Sequence, residues 1–517
     1  MTDMDFLPLP WVGSDPLSPS QSVAVVAKPR RRIAPRRREW KAARPSVLTS
    51  DWLTWARPID GDIRYSLRTL RSRAREECQN NDHFKHFLRL VKMNVIGRSG
   101  IAYQSKAVNR AGNPDEPLRA AIEDAWRRWG RRGVCDVTGM LSWRSQLRVL
   151  METAPRDGEI LLRFIHGFDN GFDLALQAID PERLDVDHNE RFSDGRQVIM
   201  GVEVDRYRRP IAYHFNADNL SPDVGYGYQR GQRERVPAEE VLHWYLPEWV
   251  AQTRGIPWFA TALFRAHMLS GYEDAEVVAS RASSSKMGFY QRDLDADDLK
   301  GDDEDEQGNP ITDFRPGEME ILPLGWEFKG WDPQHPTTAF PEFVKAMLRG
   351  ISSGLGADYN TLSNDLEGVN YTSLRHGSLT ARDVWMMLQD EVIEGIVERV
   401  HQVWVPSALL SGQIVVKGRA VSIEREEDCL AASWQPRRWP WVDPEKEATA
   451  HGQEYALNTR SIASIIRERG EDPEEVFQEI AREREMFTSL GLPIPQPRLA
   501  GQPGAPAQEE TEDAAEP

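Results

Sequence analysis

The sequence predicts an α+β subunit with several lobes, on three observations. Apolar residues alternate at a period of two in short runs between Glu159 and Phe215, the mark of half-buried strands. Two stretches, 257–285 and 371–404, keep helical character over an unusual length. A small strand-rich insert separates them. At roughly 100–200 residues per domain, 517 residues correspond to about three or four folding units.

The segment Asp62 to Ile96 carries Leu67, Leu70, Phe84, Phe87, Leu88, Leu90 and Val91 at helical spacing, with Gly97 as the stop. Further helices are expected over Glu116–Trp129 and Leu141–Thr153. Strands follow at Glu159–Ile165, Phe172–Ile179, Val198–Val204 and Ile211–Phe215, separated by Asp/Asn/Gly turns. A loop over 217–233 and a short element at Val236–Trp244 lead to a helix over Pro257–Ser285. Strands are then expected at Met287–Gln291, Met319–Leu322 and Trp326–Gly330, with an acidic loop among them. A helix over Pro341–Gly354 returns, and a Gly/Asn-rich stretch, Gly356–Asn370, precedes the longest helix, Tyr371 to about Trp404. There Val384, Leu388, Val392, Ile396 and Val400 repeat every four residues, opposite Asp390, Glu391, Glu394 and Glu398. A mixed stretch 414–441 and a helical segment 443–490 complete the ordered body. No internal repeat is present.

Charge narrows the function. The 64 Lys and Arg against 81 Asp and Glu give a net charge of −17, which argues against tight, passive coating of nucleic acid. Composition is that of a soluble globular protein, with 40% hydrophobic and 28% charged residues, and no run approaches the ~20 apolar residues of a bilayer span. The acidic, Pro-rich N-terminus does not resemble a secretory signal, so the chain is expected in the cytosol unless it leaves as part of something larger. From Lys28 to Arg44 the sequence carries nine basic residues, one acidic and two prolines, and reads as a disordered basic arm. Asp293–Glu306 reverses the sign, with nine acidic residues and one lysine. The end, from about Gln496, reads as a disordered tail. Cys78, Cys135 and Cys429 lack metal or disulfide spacing and are expected as buried thiols.

Catalytic motifs are sparse. Gly350-Ile-Ser-Ser-Gly354 spells a nucleophile elbow around Ser352, but that motif needs a buried strand before the serine, and 343–349 has helical spacing. Asp293, Asp295, Asp297 and Glu304 stand at calcium-loop positions, yet Asp298 occupies the place of the obligatory glycine, so a solvated loop is expected. No P-loop and no H-E-x-x-H occurs, and His243, His335 and His376 read as structural. No cofactor and no metal site is expected. Seventeen tryptophans and two very long helices with too few apolar neighbours suggest that copies of the chain cover one another.

Several stretches resemble the lambda-type portal proteins of tailed bacteriophages: Arg254-Gly-Ile-Pro-Trp-Phe-Ala260, Gly271-Tyr-Glu-Asp-Ala-Glu276, Trp331-Asp-Pro-Gln-His-Pro336 and Tyr359 to Tyr371. Gln79-Asn-Asn81, Asn94-Val-Ile-Gly97 and Val442-Asp-Pro-Glu-Lys-Glu447 do so too, and the likeness runs from about Leu53 to Leu490. The resemblance implies a ring, usually of twelve subunits, at one capsid vertex, through which double-stranded DNA is packaged and ejected. It implies a location in the virion, with host cytoplasm during assembly. Large terminase, head–tail adaptor, major capsid and scaffold proteins are the implied partners, without a membrane. It maps residues 50–256 to a wing, 257–285 to a stem helix, 286–336 to a clip and 337–355 to the returning stem helix. Residues 356–370 become a tunnel loop, 371–442 the long helix and the rest of the wing, and 443–490 a crown, between tails 1–49 and 491–517.

Under this mapping Asn360, Ser363, Asn364, Asn370 and Tyr371 are neutral hydrogen bonders able to touch a DNA backbone without gripping it, and Arg375 and Arg382 could add a thin basic ring. A sliding channel cannot neutralise many phosphates, since each adds counterion-release affinity. For Asp293, Asp295, Asp297, Asp298, Asp302, Asp303 and Glu304 two readings stand: a docking surface for a basic partner, or a solubilising loop. The competing functions are a serine hydrolase using Ser352 and a monomeric DNA-binding protein using the basic arm.

Overall fold

The computed structural model describes residues 56–219, 227–284, 288–292, 303–304, 310–311, 326–330, 340–367, 371–439, 444–471 and 473–493, with Val47, Ser50 and Thr54 besides. The chain divides into two units, residues 1–57 and 58–517. In the first, the basic arm 28–44 lies outside the described residues.

The second unit opens with α1 (Ile59–Asn80) and α2 (Asp82–Val95), where the sequence suggested one continuous helical stretch. Asn81 makes the break: its backbone is extended, and its side chain accepts from the N–H groups of His83 and Phe84, capping α2. After β1 (Ala102–Ser105) comes α3 (Glu116–Trp129), with the expected bounds and an Asp115 cap. α4 (Trp143–Asp157) is capped by Ser142 and stopped by Gly158 in the left-handed conformation.

The strands are β2 (Ile160–His166), β3 (Leu174–Ile179), β4 (Glu190–Arg191), β5 (Gln197–Ile199), β6 (Val202–Val204), β7 (Pro210–Asn219), β8 (Gly227–Pro237) and β9 (Val241–Trp244). They form two antiparallel sheets, β3-β2-β9 and β4-β5-β6-β7-β8. Two expectations are corrected here. Val198–Val204 is a hairpin rather than one strand, turning at Met200 and Gly201, both at positive φ. Residues 217–233 are not simply a loop, because β7 continues to Asn219 and pairs with β8 across a bulge at Asn216/Ala217.

α5 (Leu263–Ser284) starts after turns over the Pro257 region, six residues later than expected. The insert contributes β10 (Gly288–Arg292), β11 (Asp303–Glu304), β12 (Pro310–Ile311) and β13 (Trp326–Gly330), with β10 paired to β13 and β11 to β12. The strand expected at Met319–Leu322 lies outside the described residues. α6 (Phe340–Leu355) returns, α7 (Tyr359–Ser363) interrupts the expected loop, and α8 (Tyr371–Val392) begins the longest helix. That helix passes through a π-turn at Ile393–Val397 into α9 (Glu398–Leu410), six residues beyond the expected end. Gly395 in the π-turn sits against Trp244: a Cβ there would fall 2.4 Å from the indole. Leu388, Val392, Ile396 and Val400 are buried as the periodicity requires, but Val384 is 45% exposed.

β14 (Val415–Val416), β15 (Arg419–Ala420), α10 (Glu426–Cys429) and β16 (Ala432–Gln435) follow, β16 pairing with β1. The C-terminal segment is α11 (Pro444–Ala456), α12 (Ile462–Glu468) and α13 (Pro473–Ser489). Among the described residues no helix is long and apolar enough to cross a membrane, and no His/Cys/Asp/Glu group could hold a metal. The three thiols are free and buried, and burial pushes them up to about 12, 12 and 11.

One core runs from α2 through α3, α4 and β2 to α9. At its centre Trp126, Trp129, Trp143, Trp404 and Trp434 pack ring against ring, with centroids 5.0–6.3 Å apart among the contacting pairs. His401 lies in this cluster, its Nε2 3.0 Å from the Tyr103 hydroxyl, and burial pushes its imidazole from the ordinary 6.5 down to about 4.

A second buried centre is ionic. Glu159 is fully buried and accepts from Arg71 Nη2 at 2.6 Å, from Arg254 Nη2 at 2.5 Å and from the Gly255 N–H at 2.9 Å, with His243 Nε2 at 3.0 Å. Arg254 also donates to the carbonyls of Leu184 and Met200, and Arg71 to that of Asp157. Burial alone would raise the Glu159 carboxyl, but Arg254, Arg71 and His243 outweigh it and hold the group well below the usual carboxylate range.

Glu159→Gln leaves the Arg254 guanidinium buried without its carboxylate and is expected to cost about 3–5 kcal/mol, read as a lowered denaturant midpoint. The contribution of ionised Glu159 is present above the ordinary value of 4.5 and lost as pH falls through the depressed folded value, so the variant should lack that part of the acid sensitivity. His401, whose folded value is also depressed, makes the protein lose stability as pH falls from 6.5 towards about 4. A melting-temperature profile of His401→Gln should be flatter in that window and parallel to the wild type above it.

Candidate functional site

The segment that launches α5 is built around two glycines with no room for a side chain. A Cβ on Gly255 would lie 2.0 Å from the Gly158 carbonyl oxygen, and one on Gly158 would lie 2.4 Å from the Ile256 carbonyl carbon. Arg254 locks the same segment to Glu159. The Arg254-Gly-Ile-Pro string is therefore a structural joint: it fixes where the chain leaves the sheets and where α5 begins.

α5 and α6 pack on one another. Gly350 admits the Arg265 guanidinium, since a Cβ there would overlap Nη1, and Thr261 Oγ1 donates to the Gly354 carbonyl at 3.1 Å. Tyr272 stacks on Phe340 at 5.8 Å and meets Phe343 edge-on at 4.9 Å. Ser352 lies near the end of α6 and is 2% exposed. A helix stands where a nucleophile elbow needs a strand, so Ser352 lacks the strand context that the hydrolase alternative requires.

On α5 the residues facing away from this packing form a stripe at i, i+4, i+7, i+11 and i+14: Phe264, Met268, Gly271, Ala275 and Val278. All five are exposed, Phe264 by 77% and Val278 by 63%, whereas Ala266 and Leu269 on the other face are buried. The chain leaves an apolar helix face uncovered.

The segment after α6 is held by charge. Asp358 caps α7, Tyr359 donates to Asp365 at 2.8 Å, and Arg349 lies over the Tyr359 ring at 5.3 Å. Lys345 pairs with Glu367 at 3.0 Å, and His86 Nε2 lies 3.0 Å from the Thr361 carbonyl, tying the segment to α2. Burial and the hydrogen bond to Asp365 raise the Tyr359 hydroxyl, and that same bond lowers Asp365. Residues 345, 349, 358 and 365 were not among the expected site residues. Their signal was faint, a basic pair at i, i+4 on α6 with acidic residues a turn or two beyond it.

Of the expected channel residues, Asn360, Ser363 and Asn364 share one short element. Asn360 is half-buried within α7, and the Ser363 hydroxyl donates to the Tyr359 carbonyl. Asn364 is exposed and left-handed at φ 54°. Tyr371 and Arg375 lie in the first turns of α8, and Asn370 lies outside the described residues. Arg382, further along α8, is half-buried, its guanidinium 6.0 Å over the Trp439 ring. Of the acidic insert, Asp303 and Glu304 form β11, opposite Ile311 and Pro310, while Asp293, Asp295, Asp297, Asp298 and Asp302 lie outside the described residues.

The family described as phage portal protein, lambda family, matches residues 46–389. The chain belongs to the lambda family of phage portal proteins. The probable portal protein of Halomonas phage phiHAP-1 is 35% identical over 478 residues, covering 91% of this chain and 90% of that one. Portal protein B of Escherichia phage lambda is 18% identical over 481 residues, covering 86% and 88%. A solved structure titled as the neck of an empty GTA particle aligns with a TM-score of 0.42 at 13% identity, covering 87% of this chain and 99% of that one. The lambda family is structural rather than enzymatic. In this portal protein the matched region takes in the Arg254 joint, the α5/α6 pair and the start of the long helix.

The joint gives a direct prediction. Gly255→Ala drives a methyl group into the Gly158 backbone, where the opposing atoms are main chain and cannot swing aside. It should cost about 3 kcal/mol or more and depress soluble yield, measured by thermal melting beside a Gly271→Ala control.

Proposed function

We propose that this portal protein assembles as a closed ring of about twelve copies at one vertex of a phage capsid and acts as the conduit for double-stranded DNA. The observation that carries the reading is the exposed stripe Phe264, Met268, Gly271, Ala275 and Val278 on α5. Such a face is covered by a second copy, and a face-to-different-face contact closes into a ring when the rotation permits. Leu379 and Met387 on α8, 42% and 71% exposed, extend the uncovered apolar surface.

In this reading α5 and α6 are the stem, the β10–β13 insert the clip, α8–α9 the long wing helix and α11–α13 the crown. The segment 356–370 is the tunnel loop, with Asn360, Ser363, Asn364, Asn370 and Tyr371 contacting DNA through neutral groups. Arg375 contributes a sparse positive ring. Arg382, engaged with Trp439, supports the helix start more than the lumen. A chain of net charge −17 keeps the passage weakly binding, so that DNA slides. The acidic insert, 293–306, is the docking surface for a basic face of the large terminase and then of the head–tail adaptor. The protein has no catalytic role and resides in the virion after assembly in the host cytoplasm.

Met268→Glu with Val278→Glu tests the ring. Both positions are exposed in the single chain, so the fold should survive while assembly fails: light scattering should move from about 707 kDa, twelve times 58.9 kDa, towards the monomer. An unchanged ring would remove α5 from the interface. Arg375→Ala should slow packaging without altering ring mass, and unchanged packaging would remove it from the channel.

A further inference from the structure

A cleft of about 640 Å³ opens between the end of α2, the turn 97–100, and the segments 435–438 and 469–470. Six cations line it: Lys92, Arg98, Arg148, Arg437, Arg438 and Arg469, and no carboxylate does. In a chain of net charge −17 such a concentration is a local inversion. Lys92 is paired with Glu152. Arg148 donates to the carbonyls of Gly97 and Arg98 at 2.8 and 2.7 Å, and Arg437 donates to the Met93 carbonyl and the Asn94 side-chain oxygen. Neutral acceptors thus fix both arginine arms without cancelling their charge. Burial, and then the proximity of Arg382, lower Arg437, as an uncompensated cation requires.

The turn beneath is shaped for these arms. Gly97 and Gly100 have φ of +70° and +84°, and a Cβ on Gly97 would lie 2.9 Å from Arg437 Cδ. The volume falls in the range of about 300–1,000 Å³ typical of pockets that enclose a ligand. Carboxylates on an extended chain fit it, each able to take the fork of an arginine.

The sequence supplies such a chain. Residues 499–517 carry Glu509, Glu510, Glu512, Asp513 and Glu516, with no Lys or Arg after Arg498. α13 packs on α12, and Arg469, which caps α12, stands on the rim of the cleft. From the end of α13, a helix about 25 Å long, residues 494–517 could reach about 80 Å when extended. A tether of that length holds its carboxylates near the cleft at an effective concentration of order millimolar.

We propose that this basic cleft is the docking site for the acidic C-terminal segment 499–517 of this chain. The inference stands apart from the portal reading, since it invokes neither ring nor DNA.

The test uses the full-length chain and a dye-labelled peptide of residues 499–517, followed by fluorescence anisotropy. A variant with Glu509, Glu510, Glu512 and Glu516 changed to Gln and Asp513 to Asn should bind the peptide. The wild type should bind it roughly tenfold or more weakly, because its own segment occupies the cleft. Arg98→Glu, an exposed change, should weaken peptide binding in the neutralised background, and Arg438→Glu added to it should abolish binding, with melting curves confirming that both fold. Equal binding by wild type and neutralised chain, or none by the latter, overturns the proposal. Tighter binding of a short duplex DNA, lost with Arg98→Glu, also overturns it and makes the cleft a nucleic-acid site.

Discussion

Glu159 is the constraint on which the architecture rests. It stands at the mouth of β2 with no exposed surface, and the groups that neutralise it come from α1, β9 and the segment before α5. A buried carboxylate is tolerable only when such partners are in place, so the pairing requires α1, the three-stranded sheet and the start of α5 to arrive together. Arg254 extends the requirement to the β5–β6 turn through the Met200 carbonyl. Gly255 and Gly158, touching backbone to backbone, complete the joint. It stores polar specificity where an apolar core would allow sliding.

The consequence is mechanical. A helix pair must keep its angle to the sheets it leaves if many copies are to meet the same way, because a closed ring accumulates any angular error. The arginine–glutamate joint fixes the base of α5, and the Arg265/Gly350 and Thr261/Gly354 contacts fix α6 against it. The apolar stripe on α5 is then presented in a defined direction. The tryptophan cluster does for the long helix what Glu159 does for α5, anchoring α9 to α3 through Trp404, while Trp143 ties α4 to the same α3 rings. Gln389 adds a polar tie, donating to the carbonyls of Asn94 and Arg437.

Sequence alone revealed most elements whose signal is local. α3 follows from an acidic cap, a proline in its first turn and a clear apolar face, and α6 and the long helix follow from their spacing. What was hidden depends on distant partners. The break at Asn81 competes with strong helical spacing on both sides, and only the capping geometry decides it. β8 is written in polar and charged residues around Gly231, Gln229 to Arg235, and becomes a strand because β7 offers a backbone ladder. The π-turn answers to Trp244, 151 positions before Gly395. Of the candidate site, the segment between α6 and the long helix was legible, but α7 within it and the Lys345, Arg349 and Asp365 contacts were not. Each of those contacts joins side chains that become neighbours only after the chain has turned. Arg382 was legible as a cation near the start of the long helix, but its contact with Trp439 was not, because the two lie 57 positions apart in sequence.

The most direct measurement is an electron-microscopy reconstruction of the purified wild-type assembly. The account predicts a closed ring with an axial channel, α5 of each copy buried against the next through Phe264, Met268 and Val278, and the Arg254–Glu159 joint at the base of every α5. A closed ring that leaves those three side chains in solvent, or a chain that forms no ring at all, would contradict it.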